Sequence, residues 1–168
     1  MALARPEGLL VRDAVPDDVG QLVDLVRQLA RYERSEDAAR ATEEDFRRAL
    51  FGPRPQVFAL VADVAGTVIG IAVYFVSFST WTGRHGLYLE DLFVVPEHRS
   101  RGVGRALLGA LATRAVDQGC ARLEWAVLDW NQPAIDFYRS LGAAANDEWT
   151  TFRLSGAALA GLGSRARP

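Results

Sequence analysis

The chain has 168 residues, of which 49% are apolar and 24% charged, with a formal net charge of −2, which fits a globular domain with one substantial core and excludes both a disordered chain and a polyanion binder steered by bulk charge. A single cysteine, Cys120, excludes an internal disulfide, and with only His85 and His98 besides, lacking ligand spacing, no metal site is expected. No signal-peptide core and no apolar run of about 18 residues occurs, so a cytoplasmic protein is expected.

In chain order, Leu9 to Ala14 reads as a first strand ending before Pro16. From Asp17, the apolar residues Val19, Leu22, Val23, Val26, Leu29 and Ala30 recur at three- and four-residue steps and predict an amphipathic helix ending around Arg31 to Asp37. Thr42-x-x-Asp45 is a capping-box pattern that opens a second helix, stopped at Gly52-Pro53. Gln56 to Ala62 and Thr67 to Phe78, rich in β-branched and aromatic residues, predict an antiparallel hairpin turning at Asp63 to Gly66. A turn-rich loop, Ser79 to Gly86, leads into a strand from Gly86 to Val95. A third helix runs from about Val103 to Gly119, followed by a buried strand from Leu123 to Leu128, a helix from Asn131 to Ser140 closed by Gly142, and a last strand from Trp149 to Leu154. The expected organisation is one domain over 1–168, with its core at about 9–154 and a weakly ordered tail at 155–168. The order of elements is that of a mixed α/β sheet flanked by helices.

The junction between the fourth strand and the third helix carries the chemistry. Glu90-Asp91-Leu92-Phe93-Val94 is followed by a short loop containing Arg99, Ser100, Arg101, Gly102, Val103, Gly104 and Arg105. Two glycines two apart permit a tight turn, and the helix they open offers unpaired N–H groups and a positive dipole end, while three arginines add charge suited to phosphate oxygens. The loop therefore reads as a pyrophosphate cradle. It lacks the Gly-Lys-Ser/Thr of the Walker loop and the third glycine of the dinucleotide fingerprint.

Leu89 to Val94 followed by Arg99-x-x-Gly102-x-Gly104 resembles the coenzyme A motif of the GCN5-related N-acetyltransferases, and Ala126 to Ala143 resembles that family's closing motif. Leu29-Ala30-Arg31-Tyr32-Glu33, Tyr88-Leu89-Glu90-Asp91 and Trp130-Asn131-Gln132-Pro133 extend the likeness to its diamine (spermidine/spermine) acetyltransferases. Ser79-Thr80-Trp81-x-Gly83-Arg84 is most similar to the thialysine-acetylating branch. The resemblance implies a mostly antiparallel sheet whose central strands splay apart, with acetyl-CoA in the gap, paired to the backbone at Leu92, Phe93 and Val94 and contacting Asn131, Pro133 and Ala134.

An amine acceptor arrives as an ammonium of pKa about 10 and must lose its proton to attack a thioester. The resemblance gives the proton-accepting place to Glu90 and assigns Tyr138 to cofactor contact and protonation of the departing thiolate. Tyr32, Glu33, Trp81, Glu90 and Asp91 match acceptor-binding positions. Adjacent on a strand, Glu90 and Asp91 would face opposite ways unless a bulge intervenes. Ser79 stands where the spermidine-type branch has an acidic residue, which favours a shorter acceptor with one distal ammonium, and Asp147 and Glu148 are uncertain equivalents of a further acceptor carboxylate. Phe137, Trp125 and Trp149 read as core residues. The implied activity is acetyl transfer to a small primary amine by a homodimer. The alternatives are an acyl-CoA-binding module without turnover and an acetyltransferase acting on a protein amine.

Overall fold

The computed structural model describes residues 4–166. The chain divides into two compact units, the first running through Ala126 and the second starting at Val127.

The first unit is a five-stranded sheet in sequential order, β1 (Leu10–Asp13), β2 (Phe58–Val64), β3 (Thr67–Ser79), β4 (Arg84–Val94) and β5 (Leu123–Trp125). The first three pairings are antiparallel, and β5 joins β4 in parallel. Helices α1 (Val19–Tyr32) and α2 (Glu43–Phe51) follow β1, and α3 (Val103–Asp117) connects β4 to β5. This is the mixed α/β architecture expected from the order of elements.

Alternation along β3 divides the core between two faces. Ile71 and Val73 join Leu22, Leu25 and Leu29 of α1 and Leu50 of α2 in one cluster. Gly70 and Tyr74 face α3: a Cβ at Gly70 would lie 3.2 Å from Leu107, and Tyr74 is hydrogen-bonded by Arg114. In α3 the residues Val103, Leu107, Leu108, Leu111 and Ala115, three or four apart or adjacent, form a buried stripe. The β2–β3 hairpin turns through Ala65 and Gly66, both at positive φ, a two-residue connection whose twist suits the strands it joins. At α2 the capping box is formed: Thr42 Oγ1 accepts from the Asp45 N–H at 3.2 Å, and the Asp45 carboxylate accepts from the Thr42 N–H at 3.0 Å.

One polar cluster fastens the start of the sheet. Arg12 donates to Asp18 at 2.7 and 2.9 Å and to Asp63 at 2.7 and 3.2 Å, joining β1, the turn before α1 and β2. The Arg12 guanidinium holds both carboxyls below their ordinary range. Arg12→Leu strands two little-exposed carboxylates and is expected to cost about 2 kcal/mol at pH 7. Carboxylates with lowered folded pKa contribute stability that is present above the unfolded value and lost as pH falls. Urea unfolding should therefore show the gap between Arg12→Leu and wild type narrowing below pH 4, whereas equal stability at pH 7 would contradict this role.

Three local expectations are corrected. β4 begins at Arg84, because β3 and β4 stay paired up to Ser79 and Arg84, so the connecting loop is shorter than the sequence suggested. β5 ends at Trp125 rather than Leu128. In the second unit, residues 149–154 form no strand despite their β-branched and aromatic content, and Trp149, expected in the core, is 65% exposed. The second unit instead holds two helices, α4 (Gln132–Ser140) and α5 (Gly156–Arg165), the latter in a stretch with little sequence signal.

Candidate active site

The middle of β4 is irregular at the residues singled out by sequence. Ala72 pairs with Leu92 and Val73 with Asp91, but Tyr74 pairs with Leu89, so Glu90 is an extra residue in the strand, a β-bulge. Strict alternation would put Leu87, Leu89, Asp91 and Phe93 on one face. The bulge moves Asp91 and Phe93 across: Leu89 lies opposite Tyr74 on the α3 face, whereas Phe93 lies opposite Ile71 and packs in the α1–α2 cluster. Asp91 is thereby set on the α1 side, opposite Val73.

There it meets the end of α1. Tyr32 is the last residue of α1 and Glu33 its C-cap, with the Glu33 N–H bonded to the Leu29 carbonyl at 2.9 Å. Burial, then Glu90, then Glu33 push the Asp91 carboxyl up to about 6, and burial also raises Glu33. All three influences on Asp91 act in one direction. Three carboxyls thus lie close enough at the bulge for two of them to raise the third, an environment that favours an incoming cation.

The β4–β5 ladder runs only from Leu87 with Leu123 to Leu89 with Trp125. Beyond it, among the described residues, Asp91 to Val94 are laddered to β3 alone, because β5 ends at Trp125.

At the far end of β4, a 3₁₀ turn, Pro96–His98, leads into the glycine loop. Ser100 has φ 58° and Gly102 φ 80°, so the loop reverses through two left-handed residues. Gly102 is the N-cap of α3; it provides no side-chain cap, and the first turn of the helix has no acidic residue. The leading N–H groups of α3, which no helical carbonyl can satisfy, are therefore left to an anion or solvent. No atom lies within 4 Å of a Cβ built on Gly102, so its requirement is conformational. Gly102→Ala is expected to cost about 1 kcal/mol of stability. An unchanged urea midpoint would contradict it.

The arginines are placed less uniformly than their spacing suggests. Arg105 is exposed on the first turn of α3, and Arg101 donates through Nε to the Ala4 carbonyl at 3.0 Å. Arg99 turns back, donating through Nε to the Val94 carbonyl at 2.9 Å.

Trp81 is not brought to this place within its own chain. It lies 86% exposed in the β3–β4 turn. From the Ser79–Arg84 pair to the Val73–Asp91 pair is six residues of β3, about 20 Å of strand.

In the second unit, Asn131 caps α4, its Oδ1 accepting from the Ala134 N–H at 3.4 Å, with Pro133 in the first turn. Tyr138 lies in the last turn of α4, its ring 5.4 Å from that of Phe137, and both are only half-buried, so Phe137 is less of a core residue than its type suggested. The helix closes with the Ala143 N–H on the Tyr138 carbonyl at 3.2 Å and Gly142 at φ 89°. Asp147 and Glu148 are exposed.

Sequence reasoning missed the transfer of Asp91 across the sheet and the direction of Arg99. The first had a signal, since two adjacent acids interrupt the apolar alternation of β4. The second had none.

Known proteins match this chain in sequence and fold. The model of the Acetyltransferase (GNAT) family matches residues 21–143. The thialysine N-epsilon-acetyltransferase of Bos taurus is 38% identical, aligned over 94% of this chain and 98% of its own. L-ornithine N5-acetyltransferase NATA1 of Arabidopsis thaliana is 30% identical over 89% of this chain and 85% of its own. Among solved structures, an integron cassette protein of V. cholerae superposes with a TM-score of 0.79 at 29% identity, covering 94% of this chain and 99% of that one. With a family model matched over most of its length and relatives of this identity and coverage, the chain belongs to the GNAT acetyltransferase family.

Proposed function

We propose that this enzyme transfers the acetyl group of acetyl-CoA to a primary amine of a small molecule that carries a second polar or charged end, a thialysine-, lysine- or ornithine-like amino acid or a short diamine. The observation that carries the choice of acceptor is the Glu33, Glu90 and Asp91 cluster beside the bulge. An ammonium entering that cluster lowers the repulsion among the carboxyls, and a neutral or anionic acceptor gains nothing there.

The residues of the glycine loop fit the phosphate groups of the co-substrate. Amides of Ser100 to Arg105 and the uncapped start of α3 would hold the pyrophosphate, with Arg101 and Arg105 nearby, and the β4 backbone at Leu92, Phe93 and Val94 would pair with the pantetheine amides. Asn131, Pro133 and Ala134, at the start of α4, are the further cofactor contacts of the reading.

The chemistry is direct. The acceptor ammonium gives one proton to Glu90, through water, and the neutral nitrogen attacks the thioester carbonyl carbon. A C–N bond forms, the C–S bond breaks, and the nitrogen loses its second proton as the amide appears. Tyr138 gives its phenolic proton to the departing thiolate and recovers one from solvent. The contribution of the protein is orientation and proton handling. The reading takes the enzyme to be a cytoplasmic homodimer, the assembly being tested by light scattering. Among the described residues no helix is long and apolar enough to cross a membrane.

The test is release of free coenzyme A thiol from acetyl-CoA with thialysine, lysine, ornithine, putrescine, spermidine or no acceptor. Release that depends on one or more of these amines is expected. Tight acetyl-CoA binding with no acceptor-dependent release across the panel would contradict the reading.

A further inference from the structure

We infer that Arg99 is a positioning residue for the acceptor end of the site and not a phosphate ligand: its guanidinium ties Tyr32 at the end of α1 to Phe93 and Val94 of β4. Three contacts carry this. The guanidinium carbon lies 4.8 Å from the centroid of the Tyr32 ring and 5.3 Å from that of Phe93, and Nε donates to the Val94 carbonyl at 2.9 Å. One planar cation thus touches a helix end and a strand end from a position on the loop that enters α3.

The consequence falls on Glu33. It follows Tyr32 directly and caps α1, and it is one of the two carboxyls that act on Asp91. Packing the Tyr32 ring under Arg99 fixes the last turn of α1 and with it the distance between Glu33 and the β4 acids. The Arg99 charge is applied to two ring faces and a carbonyl, while burial, Glu90 and Glu33 act on Asp91 in the same direction. Lysine cannot substitute, because the arrangement needs a flat group that donates at Nε and stacks at the same time.

The inference deepens the proposed acceptor reading and rests on it for its kinetic arm, so the test includes arms that need no acceptor. Arg99→Gln, Tyr32→Leu and the double variant are compared with wild type, with thermal unfolding to confirm that each is folded. Arg99→Gln is expected to leave the calorimetric Kd for acetyl-CoA within threefold of wild type and to speed tryptic cleavage after the exposed Arg34, just beyond α1. Arg99→Gln and Tyr32→Leu should each raise the acceptor KM about tenfold, and the double variant should be no worse than either alone, as expected of residues acting as one unit. A tenfold weaker acetyl-CoA Kd in Arg99→Gln with unchanged cleavage would overturn the inference, as would additive effects in the double variant. The affinity and proteolysis arms decide the matter even where the wild-type enzyme turns over none of the amines tested, an outcome that would count against the acceptor reading alone.

Discussion

Tyr138→Phe is expected to lower kcat by about 10²- to 10³-fold while leaving acetyl-CoA affinity unchanged, the range for loss of a positioned general acid. The substitution removes one oxygen and keeps the ring, so the Phe137 contact and the last turn of α4 are preserved. The deficit should depend on pH in a stated direction. A thiol has a pKa of about 8.5, so at pH 9 the thiolate is a competent leaving group without a proton, and at pH 7 it benefits most from one. The ratio of wild-type to variant kcat should therefore shrink as pH rises from 7 to 9. Wild-type turnover in the variant would remove Tyr138 from the mechanism, and a ratio flat with pH would assign it a role other than proton donation.

Asp91→Asn is expected to change stability and acceptor binding in opposite directions. The Asp91 carboxyl sits at about 6 in the folded chain against 3.8 as its ordinary value, pushed up by burial, Glu90 and Glu33. A raised folded value means the folded state binds the proton more tightly than the unfolded state. The native state therefore loses stability as pH climbs from about 4 through 6, and the loss is complete at pH 8. Asparagine does not titrate. The variant should be about 1–3 kcal/mol more stable than wild type in urea at pH 8 and indistinguishable from it below pH 4. On the proposed acceptor reading, acceptor KM should rise roughly tenfold at pH 8 with one of the three carboxyls gone, and this difference should narrow below pH 6, where wild-type Asp91 is itself protonated. A variant that is less stable at pH 8, with unchanged acceptor KM, would show that Asp91 serves the fold and not the acceptor. The opposed signs are those of a residue kept for function at a cost in stability.

Much of this was legible in the chain because the informative residues sit where local rules are strong. The α1 stripe, the Thr42 box and the glycine-ended α3 are written in short spacings, and each formed as expected. Where the rules are weak the reading failed: residues 149–154 have a strand-like composition, yet a strand requires a partner, and their pattern does not name one. The site divides in the same way. The glycine loop could be read because Gly102 must be left-handed for the turn to close. Glu90 and Asp91 could be picked out, but their separation onto different environments depends on pairing with Val73 and Tyr74 in another strand. Arg99 looked like a phosphate ligand because it precedes the glycines. Its contacts with Tyr32, 67 positions earlier in the sequence, arise only from packing α1 against β4.

The measurement that tests the central claim most directly is the stoichiometry of the reaction. Free coenzyme A thiol and N-acetylated amine would be quantified together, the second by mass spectrometry, during turnover of acetyl-CoA with the best acceptor of the panel. The chain contains no lysine, so no lysine side chain of the enzyme competes for the acetyl group. The account predicts one acetylated amine per thiol released. Thiol release without acetylated amine, or no amine-dependent thiol release at all, would contradict it.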